Sequence, residues 1–386
     1  MPQSNEPIKK QWSMPHVWIS FVIFSVFEVY FAEKVRESDV TIYRRYAHEA
    51  LMSPLLHHWP NAYPALSLGV FLLPRVFPLS YRMSFALTTI IVLGLLLSSG
   101  SRHHGAQWGM RLMGYLAIGS FGLFSQRYDI FAAAMGFWAV SAARQHQWLS
   151  AWVYSILGFL LKMWPAVLWP IFLIQERRET GHWRFDRLLS AITAEVVVIL
   201  GQFLLDPDQM FSSLKYLLYR PVNIASTPGV LARWLGDHHL IFAYGAVDVI
   251  GPLPTDLATA IFFLGVLLGL GILWLLAKGS IGLTDSSILA VGLLLVAMKV
   301  SSPQYLIWWA PLLALRRGTP ILLAAFALTM LAYPLETMLG LEFLNLPTLT
   351  MVFLFLVIGL VRLFLHRDTD PPKNRSRSRE LFSPTT

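Results

Sequence analysis

Apolar segments long enough to cross a bilayer recur along this chain from end to end. Residues 15–32, 256–276 and 348–364 are three of them. Each approaches the roughly 20 residues that a helix needs to span the hydrocarbon core. Backbone amides inside hydrocarbon must be satisfied internally, so these segments are helical. Composition agrees. The 386 residues are 55% hydrophobic and 13% charged, against about 25% charged in a soluble domain. The sequence therefore reads as an all-α, polytopic membrane protein.

The net charge of +8 does not point to nucleic acid. The basic residues lie mostly in short loops and in a tail around Arg375, Arg377 and Arg379. That is the distribution of cytoplasmic loops in a membrane protein, and such a tail also suits anionic headgroups. The chain has no Cys, which excludes disulfides, thiolate nucleophiles and cysteine metal sites. The first apolar segment lacks a small-residue cleavage site and reads as a retained helix.

Charges near the segment ends sort into two sets. Doublets mark one set of ends: Lys9–Lys10, Arg177–Arg178 and Arg316–Arg317. Isolated charges beside Pro, Ser or Tyr mark the other: Asp39, Asp129, Lys162, Arg220 and Lys299. Residues 64–78 decide the threading. They are apolar but broken by Pro64, Pro74 and Pro78. A helix of that length rises only about 22 Å, short of a core of about 30 Å. Read as a surface or re-entrant segment, it leaves Arg102 and Arg111 cytoplasmic. About 12 crossings follow, with both termini inside. Long external loops are expected over 34–79 and 205–254, the first with interfacial helices. Residues 1–366 form one transmembrane domain, and the Pro-, Ser- and charge-rich residues 367–386 a disordered basic tail. No strong internal repeat is visible.

This threading gathers the isolated charges at one face. Asp39, six residues past the first helix, suits a general base. Asp129 opens a helix and reads either as a cap or as a second carboxylate for an acceptor hydroxyl or a cation. Lys162 lies between two short apolar helices, where an unpaired cation costs about 2.5–3.5 kcal/mol if truly intramembrane; a lipid phosphate would satisfy it. Lys299 sits similarly, before SSPQYLIWWAP. Arg220, in YLLYRPVNIASTPG, suits a phosphate clamp or a headgroup contact. The pairs His57–His58 and His238–His239 are weak zinc signals without an H-E-x-x-H frame. Glu195, within a crossing, is either a functional acid or a structural one. No P-loop or dinucleotide glycine pattern is present, so an activated group would be lipid-linked.

Several segments together resemble the GT-C membrane glycosyltransferases, which use polyprenyl-phosphate sugars. The resemblance covers about residues 15–320. ESDVTIYRRYAHEAL followed by NAYPALS is similar to the family's first external loop, an acidic residue and then a Tyr-Pro-Pro turn. QRYDIFAAAMGF resembles its second acidic position, and LGFLLKMWPAVLWPIFLIQERR the Lys-x-x-Pro segment of glycosyltransferase family 87. RPVNIASTPGVLARWL resembles that family's second-loop Arg…Ser stretch. KVSSPQYLIWWAPLLAL resembles both family 87 and a segment of the first GPI mannosyltransferase. Tyr63-Pro64-Ala65 lacks the second Pro. Glu37-Ser38-Asp39 replaces Asp-x-Asp, which leaves open a divalent cation (Mg or Mn). Mycobacterial family 87 members carry His near the position of Gln304–Tyr305.

The resemblance implies a GT-C fold and an inverting glycosyltransferase, most simply a mannosyltransferase. Its donor would be a polyprenyl-phosphate monosaccharide and its acceptor a lipid-linked or surface glycan. The site would lie on the non-cytoplasmic face of the plasma membrane. Asp39 would be the base, with Asp129 and Glu37 as acceptor-binding or second acids. Lys162, Arg220, Lys299, Gln304 and Tyr305 would meet the donor phosphate, and His57, His58 and Ser302 are further candidates. The competing reading is a multi-pass lipid or solute transporter or flippase with an anion site.

Overall fold

The computed structural model describes residues 12–34, 39–52, 60, 63–208, 211, 215, 219–237, 239–243, 245–317, 320–330 and 345–366. Glu37, His57, His58, His238 and the tail 367–386 lie outside the described residues.

Helices dominate. Among the described residues, five are long and apolar enough to cross a membrane: α1 (Met14–Lys34), α4 (Tyr81–His104), α9 (Phe185–Leu205), α11 (Pro252–Lys278) and α15 (Asn345–Leu365). Shorter helices run among them: α5 (Ala106–Gly119), α6 (Asp129–Arg144), α7 (Trp148–Leu161), α8 (Trp169–Thr180), α12 (Leu283–Ala297), α13 (Leu306–Leu313) and α14 (Pro320–Met330). Proline and glycine cut several other segments short of that length. Lys162 and the 3-10 turn Trp164–Leu168, which contains Pro165, separate α7 from α8. Proline supplies no amide and disfavours helix in the residue before it.

The long helices leave apolar faces uncovered. Ile19, Val22 and Val26 of α1 are exposed, as are Val197 and Leu200 of α9 and Phe263 and Leu267 of α11. Contiguous apolar surface of this extent is unstable against water and is at rest against lipid. Inside the bundle, α6 and α13 are almost wholly buried. Trp108, Phe85, Phe124 and Trp309 fill the core.

The segment 64–78 holds only α3 (Ser67–Leu72) and a 3-10 turn, Leu73–Val76. Ser80 Oγ, just past it, donates to Glu33 Oε1 near the end of α1 at 2.9 Å. The chain therefore returns to the end of the bundle that it left, and α4 runs back along α1.

Contacts distinguish two ends of the bundle. At the basic end, His104 of α4 meets Ser141 of α6 at 3.0 Å. There Arg111 Nε also donates to the Ala314 carbonyl at 2.7 Å. The opposite end carries α2 (Asp39–Met52), the start of α6, the break at Lys162 and the turn Pro303–Tyr305 before α13. We call this the site end.

One feature departs from an all-helical chain. Within 205–254, β1 (Val222–Asn223), β3 (Ala246–Val249) and β2 (Leu240–Ala243) form an antiparallel sheet in the order β1-β3-β2. Ala243 pairs with Ala246, and Gly245 in the tight connection has φ 76°, a conformation glycine adopts without a Cβ penalty. Apolar and β-branched residues at this spacing suit a half-covered sheet as well as an interfacial helix. Beside the sheet lies α10 (Thr227–Trp234), whose N-cap Ser226 accepts from Gly229 N at 3.3 Å.

Candidate active site

Two carboxylates stand at the site end, each engaged by a cation from another segment. Asp39 opens α2 and pairs with Arg127. Tyr43, one turn on, donates its hydroxyl to Asp39 Oδ2 at 3.4 Å. Tyr43 is buried, stacked on Phe71 at 4.4 Å and edge-on to Tyr63 and Tyr128 at 5.6 and 5.7 Å. Burial, then the nearby Tyr63, Asp129 and Tyr128, push its phenol well above the ordinary range. It stays a neutral donor. The Tyr63-Pro64 turn thus closes an aromatic box that holds the start of α2 in place.

Arg127 is delivered by a loop fastened to α1. Glu28, fully buried, accepts from Gly122 N at 2.6 Å and from Ser125 N at 2.9 Å. Burying a carboxylate is costly unless donors meet it, and these amides do so while setting the turn Phe124–Gln126. Arg127 then leaves in an extended conformation.

Asp129 follows two residues on, 1% exposed. Its side chain caps no helix. It accepts instead from Lys162 Nζ at 2.6 Å and from Trp308 Nε1. Lys162 is therefore not an isolated cation, as its sequence context suggested. The extended break after α7 lets its side chain reach α6. Its ammonium also lies 4.7 Å from the ring centroids of Tyr128 and Tyr305 and 4.9 Å from that of Trp308. Cation–π contact of this kind adds to the ion pair when water is excluded. Trp308 stacks on Tyr305 at 4.1 Å and parallels Trp164 at 5.9 Å. Trp164 fits only because residue 136 is glycine: a Cβ there would stand 2.3 Å from the indole.

The second long loop joins the same region. Arg220, Arg127 and Asp129 all act electrostatically on Tyr305, which Ser302 also contacts by a side-chain hydrogen bond. Gln304 is buried beside it. Arg220 and Lys299 line one cavity of about 810 Å³, whose walls include Pro170, Phe262, Gly269 and Leu293. The Lys299 carbonyl accepts from Asn223 N at 2.9 Å, tying that helix end to the sheet. Asp248 lies behind Arg220, fully buried and 3.3 Å from Asn223 Nδ2. Burial raises its carboxyl above the usual range, against the pull of Arg220 and Asn223.

Asp39, Asp129, Lys162 and Tyr305 thus gather with Arg220 in reach, and Lys299 shares the adjoining cavity. Glu195 stands apart, half-buried in the largely exposed α9. His239 pairs with Asp237 at 3.2 Å. Among the described residues the donor set does not make a divalent-cation cage. Asp39 and Asp129 each face a cationic side chain, and no group of three His, Asp or Glu side chains gathers among the described residues. Sequence reasoning missed Glu28, Arg127, Asp248 and the carboxylate contact of Trp308. An acid within an apolar helix was the available signal for Glu28; the partners of the others come from distant segments.

No family model matches the sequence, and no curated protein matches it. Among solved structures, the chain is similar to the crystal structure of ArnT from Cupriavidus metallidurans in the apo state. The identity is 12%, the match covers 92% of this chain and 77% of that one, and the TM-score is 0.46.

Proposed function

We propose that this protein is a membrane glycosyltransferase of the GT-C type, transferring a monosaccharide from a polyprenyl-phosphate donor. Mannose is the sugar we favour, with a lipid-linked or surface glycan as acceptor on the non-cytoplasmic face of the plasma membrane. One observation carries the reading. Two carboxylates and their cations meet at one end of the bundle beside an apolar cavity that holds Arg220 and Lys299. Apolar walls suit a polyprenyl chain, and cations suit the phosphate at its head.

In this reading Asp39 takes the proton of the acceptor hydroxyl. The hydroxyl oxygen bonds to the anomeric carbon as the bond to the phosphate oxygen breaks, and polyprenyl phosphate leaves with the electron pair. Arg220 and Lys299 stabilise the charge that develops on that phosphate. Arg127 neutralises Asp39 at rest, so a donor phosphate that draws Arg127 away also frees the base. Lys162 is 15% exposed and committed to Asp129. It acts with Gln304, Tyr305 and Trp308 as the ordered wall of the phosphate site.

The test is sugar transfer by the purified protein in lipid nanodiscs, with polyprenyl-phosphate mannose as donor and products followed by mass spectrometry. Asp39→Asn, shown by its melting curve to be folded, should abolish most turnover. Near-normal turnover would remove Asp39 as base. Movement of the lipid across vesicles without transfer would favour a transporter.

A further inference from the structure

The basic end of the bundle holds a recess that the proposed reaction does not use. Here α13 runs out into Arg316 and Arg317, α14 begins at Pro320, and α15 ends before His366. Between them lies a cavity of about 530 Å³. Arg316, Arg317, Arg362 and His366 supply its polar lining. Ile321, Leu322 and Leu363 supply apolar wall, and among the described residues no carboxylate lines it.

The cations are not equivalent. Arg316 is held by Asp285 Oδ1 at 3.2 Å and by the His366 carbonyl at 2.7 Å. Arg317 and Arg362 are exposed, and Arg317 stands within electrostatic reach of Arg111. Among the described residues neither Arg317 nor Arg362 has an ion-pair partner. Asp285, itself buried, is engaged by Arg316.

Threading of the chain through a membrane explains basic residues at this end, but not a recess with apolar walls. Elsewhere at this end the cations rest on neighbours. Arg177 lies 4.2 Å from the ring centroid of Trp183, and Lys278 lies 3.9 Å from that of Trp274. The recess also opens beside lipid-facing surface, since Val357 and Val361, approaching Arg362 along α15, are exposed.

We infer that this recess binds an anionic glycerophospholipid, its phosphodiester held between Arg317 and Arg362 and an acyl chain laid along Leu322 and Leu363. Guanidinium meets phosphate oxygens in a bidentate fork, and basic pockets between membrane helices suit such headgroups. The charges of Arg317 and Arg362 are then met by a phosphate rather than by a side chain.

The experiment is native mass spectrometry of the full chain released from vesicles of phosphatidylcholine with one-fifth phosphatidylglycerol. Wild-type protein should retain phosphatidylglycerol, and the Arg317→Gln/Arg362→Gln variant should lose roughly tenfold or more of that retention. The Arg177→Gln/Lys278→Gln variant should keep it. Equal retention by the Arg317/Arg362 variant overturns the proposal, as does equal loss in the Arg177/Lys278 control. Competition by inorganic phosphate at millimolar level would make this an ion site and overturn the lipid assignment. Melting in pure phosphatidylcholine checks folding. Where the double variant does not fold, each single Gln variant is read alone, with a several-fold loss expected and wild-type retention overturning the inference.

Discussion

The two ends of the bundle use similar residues in opposite ways. At the site end, Asp129 and Lys162 are enclosed together, and Tyr128, Tyr305 and Trp308 surround the ammonium. At the basic end, Arg317 and Arg362 are exposed and Arg177 lies on an indole at the surface. A charge taken from water must bring its partner with it; a charge at an interface needs none. Residues that look alike in a hydropathy profile therefore differ by several kcal/mol in what their loss would cost.

The sharpest way to break this comparison is Asp39→Asn. We expect a hundredfold to ten-thousandfold fall in transfer rate, together with a lower melting temperature because the buried Arg127 loses its anion, measured as initial rate on protein that its melting curve shows to be folded. Lys162→Ala comes next. It leaves Asp129 buried beside Trp308 without its cation, and about 3–5 kcal/mol of stability should go, read from denaturant unfolding in detergent. Adding Asp129→Asn should restore part of it. Gly136→Ala drives a methyl group into Trp164, at about 1–3 kcal/mol for overpacking, and should disturb Trp fluorescence.

Asp248 sharpens the contrast through pH. The folded chain holds its proton more tightly than the unfolded chain does. Its contribution is thus full below the unfolded pKa of about 3.9 and is lost as pH rises through the higher folded value. Asp248→Asn should flatten that part of a stability–pH profile. Arg177→Gln at the basic end should change stability by less than about 0.5 kcal/mol; a larger loss would show that this end is not simply solvated.

The charges that matter were partly legible in the sequence. Asp39, Asp129, Lys162, Arg220 and Lys299 drew attention because they stand beside Pro, Ser or Tyr near the ends of apolar segments. Their pairing was not legible. Lys162 is 33 residues from Asp129, and Trp308 is 179 away from it, and nothing local links them. The same distance hid Arg127 as the partner of Asp39. The sheet at 222–249 was missed because its short apolar strands share a pattern with an interfacial helix.

Composition and charge distribution alone determined that this chain is a helical bundle of apolar segments, with doublets such as Arg316–Arg317 sorted to one end. They also determined that residues 64–78 are too short to cross. Both follow from the length and polarity of local segments against a fixed hydrocarbon thickness. Only the tertiary structure decided which carboxylate meets which cation, that Lys162 serves Asp129, and that Gly136 makes room for Trp164. Those outcomes depend on packing between segments far apart in the chain, where burial forces each charge to find a partner that local sequence does not name.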